Sequence, residues 1–77
     1  MSPRLPILLG EAVVRALKKA GFVVVRVKGS HHIMAHPDDP TRRTVVPVHA
    51  GQDIKRGLMR KIIDDAGMTV DEFNGFL

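Results

Sequence analysis

The run Phe22-Val23-Val24-Val25-Arg26-Val27-Lys28 is followed at once by Gly29-Ser30 and then by His31-His32-Ile33-Met34-Ala35-His36. Valine's second branch at Cβ costs side-chain freedom in a helix and suits a pleated strand. Gly29-Ser30 is a two-residue turn of the type that closes a hairpin. The spacing therefore predicts a strand over Phe22–Lys28 returning as a second strand over His31–His36. Under strict alternation, Val23, Val25 and Val27 point to one side and Phe22, Val24, Arg26 and Lys28 to the other. An isolated hairpin is marginal in water. The rest of the chain must supply a further strand and a layer to cover one face.

Both are legible. Glu11–Ala20 reads as a helix, with Val13, Ala16, Leu17 and Ala20 on one side and Glu11 and Arg15 spaced for an outer i,i+4 pair. Lys18 and Lys19 suit its last turn as solvated charges, and Gly21 is placed to end it. Pro37-Asp38-Asp39-Pro40 reads as a turn, and Thr44–Val48 as a third strand whose Pro47 belongs at an edge or an end. Asp53 is read as the N-cap of a second helix with Ile54, Leu58, Ile62 and Ala66 on its apolar face, flanked by Met59 and Ile63; Gly57 is an awkward interior residue that argues for a late start, and Gly67 is the stop. Thr69-Val70-Asp71-Glu72 is a capping box opening a short last helix, with Val70, Phe73 and Leu77 turned inward. The expectation is a two-layer α+β domain of order αβββα. Its three-stranded antiparallel sheet carries the helices on one face, a short helix ends the chain, and one domain spans residues 1–77 after an irregular lead-in over 1–8.

Composition narrows the function classes. The chain has 77 residues and no cysteine, which excludes disulfides and Cys-based zinc sites. A net charge of +4 suits a polyanionic partner. With no Trp or Tyr and only Phe22, Phe73 and Phe76 aromatic, an aromatic platform for several stacked bases is not available. Contact with RNA is expected to run mainly through phosphates. No apolar run approaches the roughly 20 residues of a membrane span. The proline-broken start does not read as a signal peptide, so a cytoplasmic, membrane-free protein is expected.

His31 and His32 follow the Gly-Ser turn directly, where the chain is exposed and held by strands on both sides. Imidazole exchanges protons near neutral pH, as phosphodiester transesterification requires. Arg26 and Lys28 offer cations to a phosphate, Gly29 allows close backbone approach, and Ser30 shapes the turn. Arg56 and Arg60 on the second helix are further candidates for tracking a phosphate backbone. His31, His32 and His36 do not have a zinc-ligand spacing, so no metal and no cofactor are expected. Met34 and Met59 read as core filler.

In order along the chain, Leu17-Lys18-Lys19-Ala20-Gly21-Phe22, Val27-Lys28-Gly29-Ser30-His31-His32-Ile33, Val46-Pro47-Val48-His49, Ile54-Lys55-Arg56-Gly57, Ile62-Ile63-Asp64-Asp65-Ala66-Gly67 and Glu72-Phe73 resemble the HicA toxin family of bacterial toxin–antitoxin pairs. The resemblance covers nearly the whole chain. It implies a fold like that of double-stranded-RNA-binding domains, an mRNA-cleaving activity that halts translation, and neutralisation by a cognate HicB-type antitoxin; the alternative reading is a non-catalytic double-stranded-RNA-binding module or a pure protein-interaction domain. A free toxin of this kind is expected to be monomeric. Carried onto this sequence, the family's catalytic histidine falls on His31, with His32 as its rival. Strand parity says only that the two side chains point oppositely.

Overall fold

The computed structural model describes residues 4–77. The elements are α1 (Gly10–Lys19), β1 (Val23–Lys28), β2 (His31–His36), β3 (Asp39–Pro47), α2 (Arg56–Asp65) and α3 (Val70–Asn74). The strands form one antiparallel sheet in the order β1-β2-β3. The expected αβββα architecture with a short terminal helix is the one found, and it is consistent with a double-stranded-RNA-binding-domain-like fold. Within the described part of the lead-in, Arg4–Leu8 has neither helix nor strand, and Leu9 forms an isolated bridge to Asp53. Met1, Ser2 and Pro3 lie outside the described residues.

The core forms between one sheet face and the helices. Val13, Leu17, Met34, Val46, Met59, Ile62, Ile63 and Phe73 are almost wholly buried. On that face Val24 pairs with Met34, Met34 with Thr44, and His32 with Val46. Directly opposed residues share a face of the sheet. The opposite face therefore carries the rows Val23–Ala35–Arg43, Arg26–Ile33–Val45 and Lys28–His31–Pro47.

This corrects the strict alternation expected for β1. The register shifts between Val24 and Arg26, which leaves Val25 as an extra, bulged residue. Phe22 and Val24 stay with the core, but Arg26 and Lys28 turn to the open face, while Val27 takes the helix side. Without the bulge both cations would point toward the helix layer, where an unpaired charge is costly.

β3 is longer than expected, starting at Asp39, and a second irregularity between Ala35 and His36 accommodates Pro40, Thr41 and Arg42. Asp39 accepts hydrogen bonds from the Thr41 hydroxyl at 2.6 Å and the Thr41 N–H at 3.2 Å. The hydroxyl bond is the main reason its carboxyl is held below the usual aspartate range. Arg42 turns to the helix side, where its Nε donates to the Ala66 carbonyl at 2.7 Å and its guanidinium lies 5.2 Å from the Phe22 ring centre. It thereby satisfies a carbonyl that the end of α2 leaves free. His36 packs edge-on against Phe22, with ring centres 5.3 Å apart.

Four local expectations change. Asp53 is not the cap of α2, which starts at Arg56 after Lys55, because Asp53 is engaged by Leu9 and the Ile54 N–H by the Leu8 carbonyl. Leu58 is 37% exposed, and Met59 takes its expected place in the core. Leu77 is exposed, and Phe76 packs against the core instead. Glu11 and Arg15 form no ion pair; among the described residues the ion pair is Lys61–Asp65 at 3.1 Å. The Thr69–Glu72 capping box is present with both bonds formed.

Candidate functional site

The site is organised by the β1–β2 turn. Gly29 has φ +60°, and a Cβ added there would meet nothing within 4 Å. A side chain there would be strained by the backbone alone. The turn places Lys28 directly across from His31, and β3 continues the row with Pro47. The Val48 N–H donates to the Ser30 carbonyl at 2.7 Å, which ties the end of β3 to the turn. His49 follows immediately, and its Nε2 lies 3.4 Å from the Ser30 hydroxyl. The turn region thus gathers three histidines from two strand ends.

The two adjacent histidines have different surroundings. His31 is exposed, and it shares the open face with the half-buried Ile33 and the buried Ala35. His32 is half-buried on the helix side with Met34, and its Nδ1 is buried without a hydrogen-bond partner. An unpaired buried ring nitrogen in a folded protein calls for an explanation, and a catalytic role is one.

Beside His31, β3 and α2 enclose a groove of about 370 Å³. One wall is Arg43, Val45 and Pro47 of the sheet; the other is Leu58, Lys61, Ile62 and Asp65 of α2. At 100° per residue, Leu58, Lys61, Ile62 and Asp65 fall along one side of that helix. Val45 and Leu58 leave 43% and 37% of their surfaces exposed there.

Of the residues expected at the site, Arg26, Lys28, Gly29, Ser30 and His31 share the open face or the turn. Arg56 and Arg60 do not line the groove. Arg56 borders a separate pocket against Arg4–Ile7, and Arg60 is exposed on another side of α2. Sequence reading missed Arg43 and Lys61 as the groove's cations, and it gave His49 no role. For Lys61 a signal existed: it sits three residues from Leu58, the helix residue that the core does not take. Nothing local announces His49, because a long-range strand pairing brings it to Ser30. Among the described residues no three His, Asp or Glu side chains gather as a metal-ligand set, and no helix is long and apolar enough to cross a membrane.

The family model described as HicA toxin of bacterial toxin–antitoxin matches residues 10–68, from the first residue of α1 to just beyond α2. No individual curated protein matches the chain significantly.

Proposed function

Because this chain belongs to the HicA toxin family of bacterial toxin–antitoxin systems, we propose that it is an endoribonuclease that arrests translation by cutting mRNA without a metal ion. The observation that carries this reading is the exposed His31 imidazole, set across the strand pair from Lys28 on the open, cationic sheet face. In the proposed step His31 removes the proton of a ribose 2′-hydroxyl as that oxygen attacks the adjacent phosphorus. The bond from phosphorus to the 5′-oxygen breaks, and that oxygen takes up a proton. The products are a 2′,3′-cyclic phosphate and a free 5′-hydroxyl. Lys28 and Arg26 oppose the charge that builds on the phosphate oxygens, the largest kind of contribution such a site can make. Gly29 and Ser30 let the phosphate approach the backbone. One imidazole does not serve both proton transfers at once, and His49, held beside Ser30, is the group assigned to the second.

A second reading is favoured by one observation, the unpartnered Nδ1 of His32. In it, His32 is the proton-transfer residue and His31 a phosphate or base contact. Arg56 and Arg60 lie outside the groove and are assigned a peripheral role, attracting RNA through its phosphates. The partner that silences the protein is a cognate HicB-type antitoxin, and the protein acts in the cytoplasm as a monomer when free.

The test is co-expression. Growth and transcript integrity are followed after tightly controlled induction, with and without the open reading frame adjacent to the gene. Growth arrest with transcript loss, relieved by the neighbour, is expected. Arrest with intact transcripts would leave a toxin that acts otherwise.

A further inference from the structure

The groove beside His31 has a size, a lining and a charge setting that together select a ligand. Its volume of about 370 Å³ lies at the small end of ligand pockets and suits a ring system rather than a helix or a strand. Its lining is largely aliphatic, from Val45, Pro47, Leu58 and Ile62, and the His31 imidazole also lines it. On the α2 side the Lys61 ammonium and Asp65 carboxylate stand 3.1 Å apart, offering a donor and an acceptor along the same edge. Arg43, an exposed cation, also lines the groove, and Lys28 faces His31 across the strand pair. A ligand matching these features has an uncharged flat body, a polar edge with donors and acceptors, and negative charge on either side.

That describes one nucleotide within a single strand. We propose that the groove binds one unstacked nucleobase of single-stranded RNA, next to the ribose on which His31 acts. This inference rests on the reading of the chain as an RNA-cleaving enzyme and adds its substrate class. A base inside a duplex is stacked on both faces and paired along its edge, so it cannot enter; a base in a loop or an unpaired strand can. The Lys61–Asp65 pair then reads the base edge, with the carboxylate accepting from an exocyclic amine as acidic side chains do at cytosine. Because the groove is aliphatic, it holds the base by burial, with His31 the sole ring available for stacking. Base preference should therefore be confined to one position near the cut.

The experiment is a methyl NMR titration of the full chain with short single-stranded RNA, made uncleavable by 2′-O-methylation. The same strand with one abasic position, moved along it one place at a time, and a blunt duplex are run beside it. Methyl shifts at Val45, Leu58 and Ile62 are expected with the intact strand and not with the duplex. One abasic position should weaken binding about tenfold, the effect of losing a single base contact. Leu58→Ala, outside the core and helix-compatible, should weaken the intact strand similarly and leave that abasic strand unchanged. Unmoved groove methyls on a bound strand, equal affinity for every abasic strand, or equal shifts with the duplex would overturn the proposal. Groove methyls that move on addition of the antitoxin encoded beside the gene, and with none of the RNAs, would overturn it too, in favour of a protein-docking groove. Cleavage of the unmodified strand, followed in parallel, separates the two levels. A groove that binds while RNA stays whole removes the enzymatic reading alone, and cleavage with a silent groove removes the subsite alone.

Discussion

Gly10→Ala and Gly57→Ala make the same chemical change at the start of two helices and should act in opposite directions. Gly10 is buried where α1 meets the end of β3. A Cβ there would overlap the Pro47 carbonyl oxygen and lie 3.0 Å from the Val48 Cα. Both obstacles are backbone, and that backbone is fixed by the His31–Pro47 pairing and by the 2.7 Å bond from the Val48 N–H to Ser30. The helix must therefore slide. Overpacking of this kind costs typically about 1–3 kcal/mol, and the helix-propensity gain of alanine recovers less than about 1 kcal/mol at a first-turn position. A net loss of about 1–2 kcal/mol should lower Tm by roughly 5–15 °C for a domain of this size. At Gly57 nothing lies within 4 Å of an added Cβ, and φ is not positive. Alanine there should stabilise by about 0.5 kcal/mol by restricting the unfolded chain. Thermal and urea denaturation followed by circular dichroism reads both. A Gly10→Ala protein as stable as Gly57→Ala would refute the claimed close approach of α1 to β3, and with it the account of how Pro47, Val48 and His49 are held in place.

Further outcomes follow from other contacts. Arg42→Ala should cost about 1–3 kcal/mol by leaving the Ala66 carbonyl without its charged donor, and Arg42→Lys should recover only part of this; urea midpoints at constant m-value check it. The Glu72 carboxyl is held below its usual range, mainly by the hydrogen bond from the Thr69 N–H. A depressed folded value means that its stabilising contribution is present above roughly pH 4.3, the unfolded glutamate value, and is lost as pH falls through the folded one. The protection of the Phe73 and Asn74 amides against hydrogen exchange, taken relative to the intrinsic rate at each pH, should fall in that window in the wild type and show no such pH step in Glu72→Gln. If His49 supplies the second proton transfer, His49→Gln should lower kcat with little change in KM and remove one limb of the pH–rate profile. An unaltered profile would assign that step elsewhere.

The helices, the hairpin and the capping box were legible because each is local: a 3.6-residue period, a Gly-Ser pair, a Thr–Glu spacing. The Val25 bulge was not, since one additional valine in a run of valines carries no mark. Its trace is indirect. Strict alternation would have put Arg26 and Lys28 on the face of Val24, and a cation directed at a core signals that the register must slip. The start of α2 was misplaced because Asp53 has the side chain of a cap but is occupied by Leu9, a partner more than forty positions away in sequence. At the site, the turn and its cations were readable from neighbours in sequence. The groove was not, because it exists only once β3 lies beside α2. The same holds for His49, which reaches Ser30 across the sheet.

Whether catalysis resides in the Gly-Ser-His-His turn is read by incubating purified wild-type, His31→Ala and His32→Ala proteins with end-labelled single-stranded RNA, with and without EDTA. Cleavage by the wild type that EDTA does not diminish, leaving 2′,3′-cyclic phosphate ends, is expected, with a loss of at least about 100-fold in His31→Ala, the lower range for a general acid–base group. Loss in His32→Ala alone would move the role to the neighbouring residue. RNA left whole by the wild type, or cut by both variants as fast as by the wild type, would overturn the assignment of catalysis to the Gly-Ser-His-His turn.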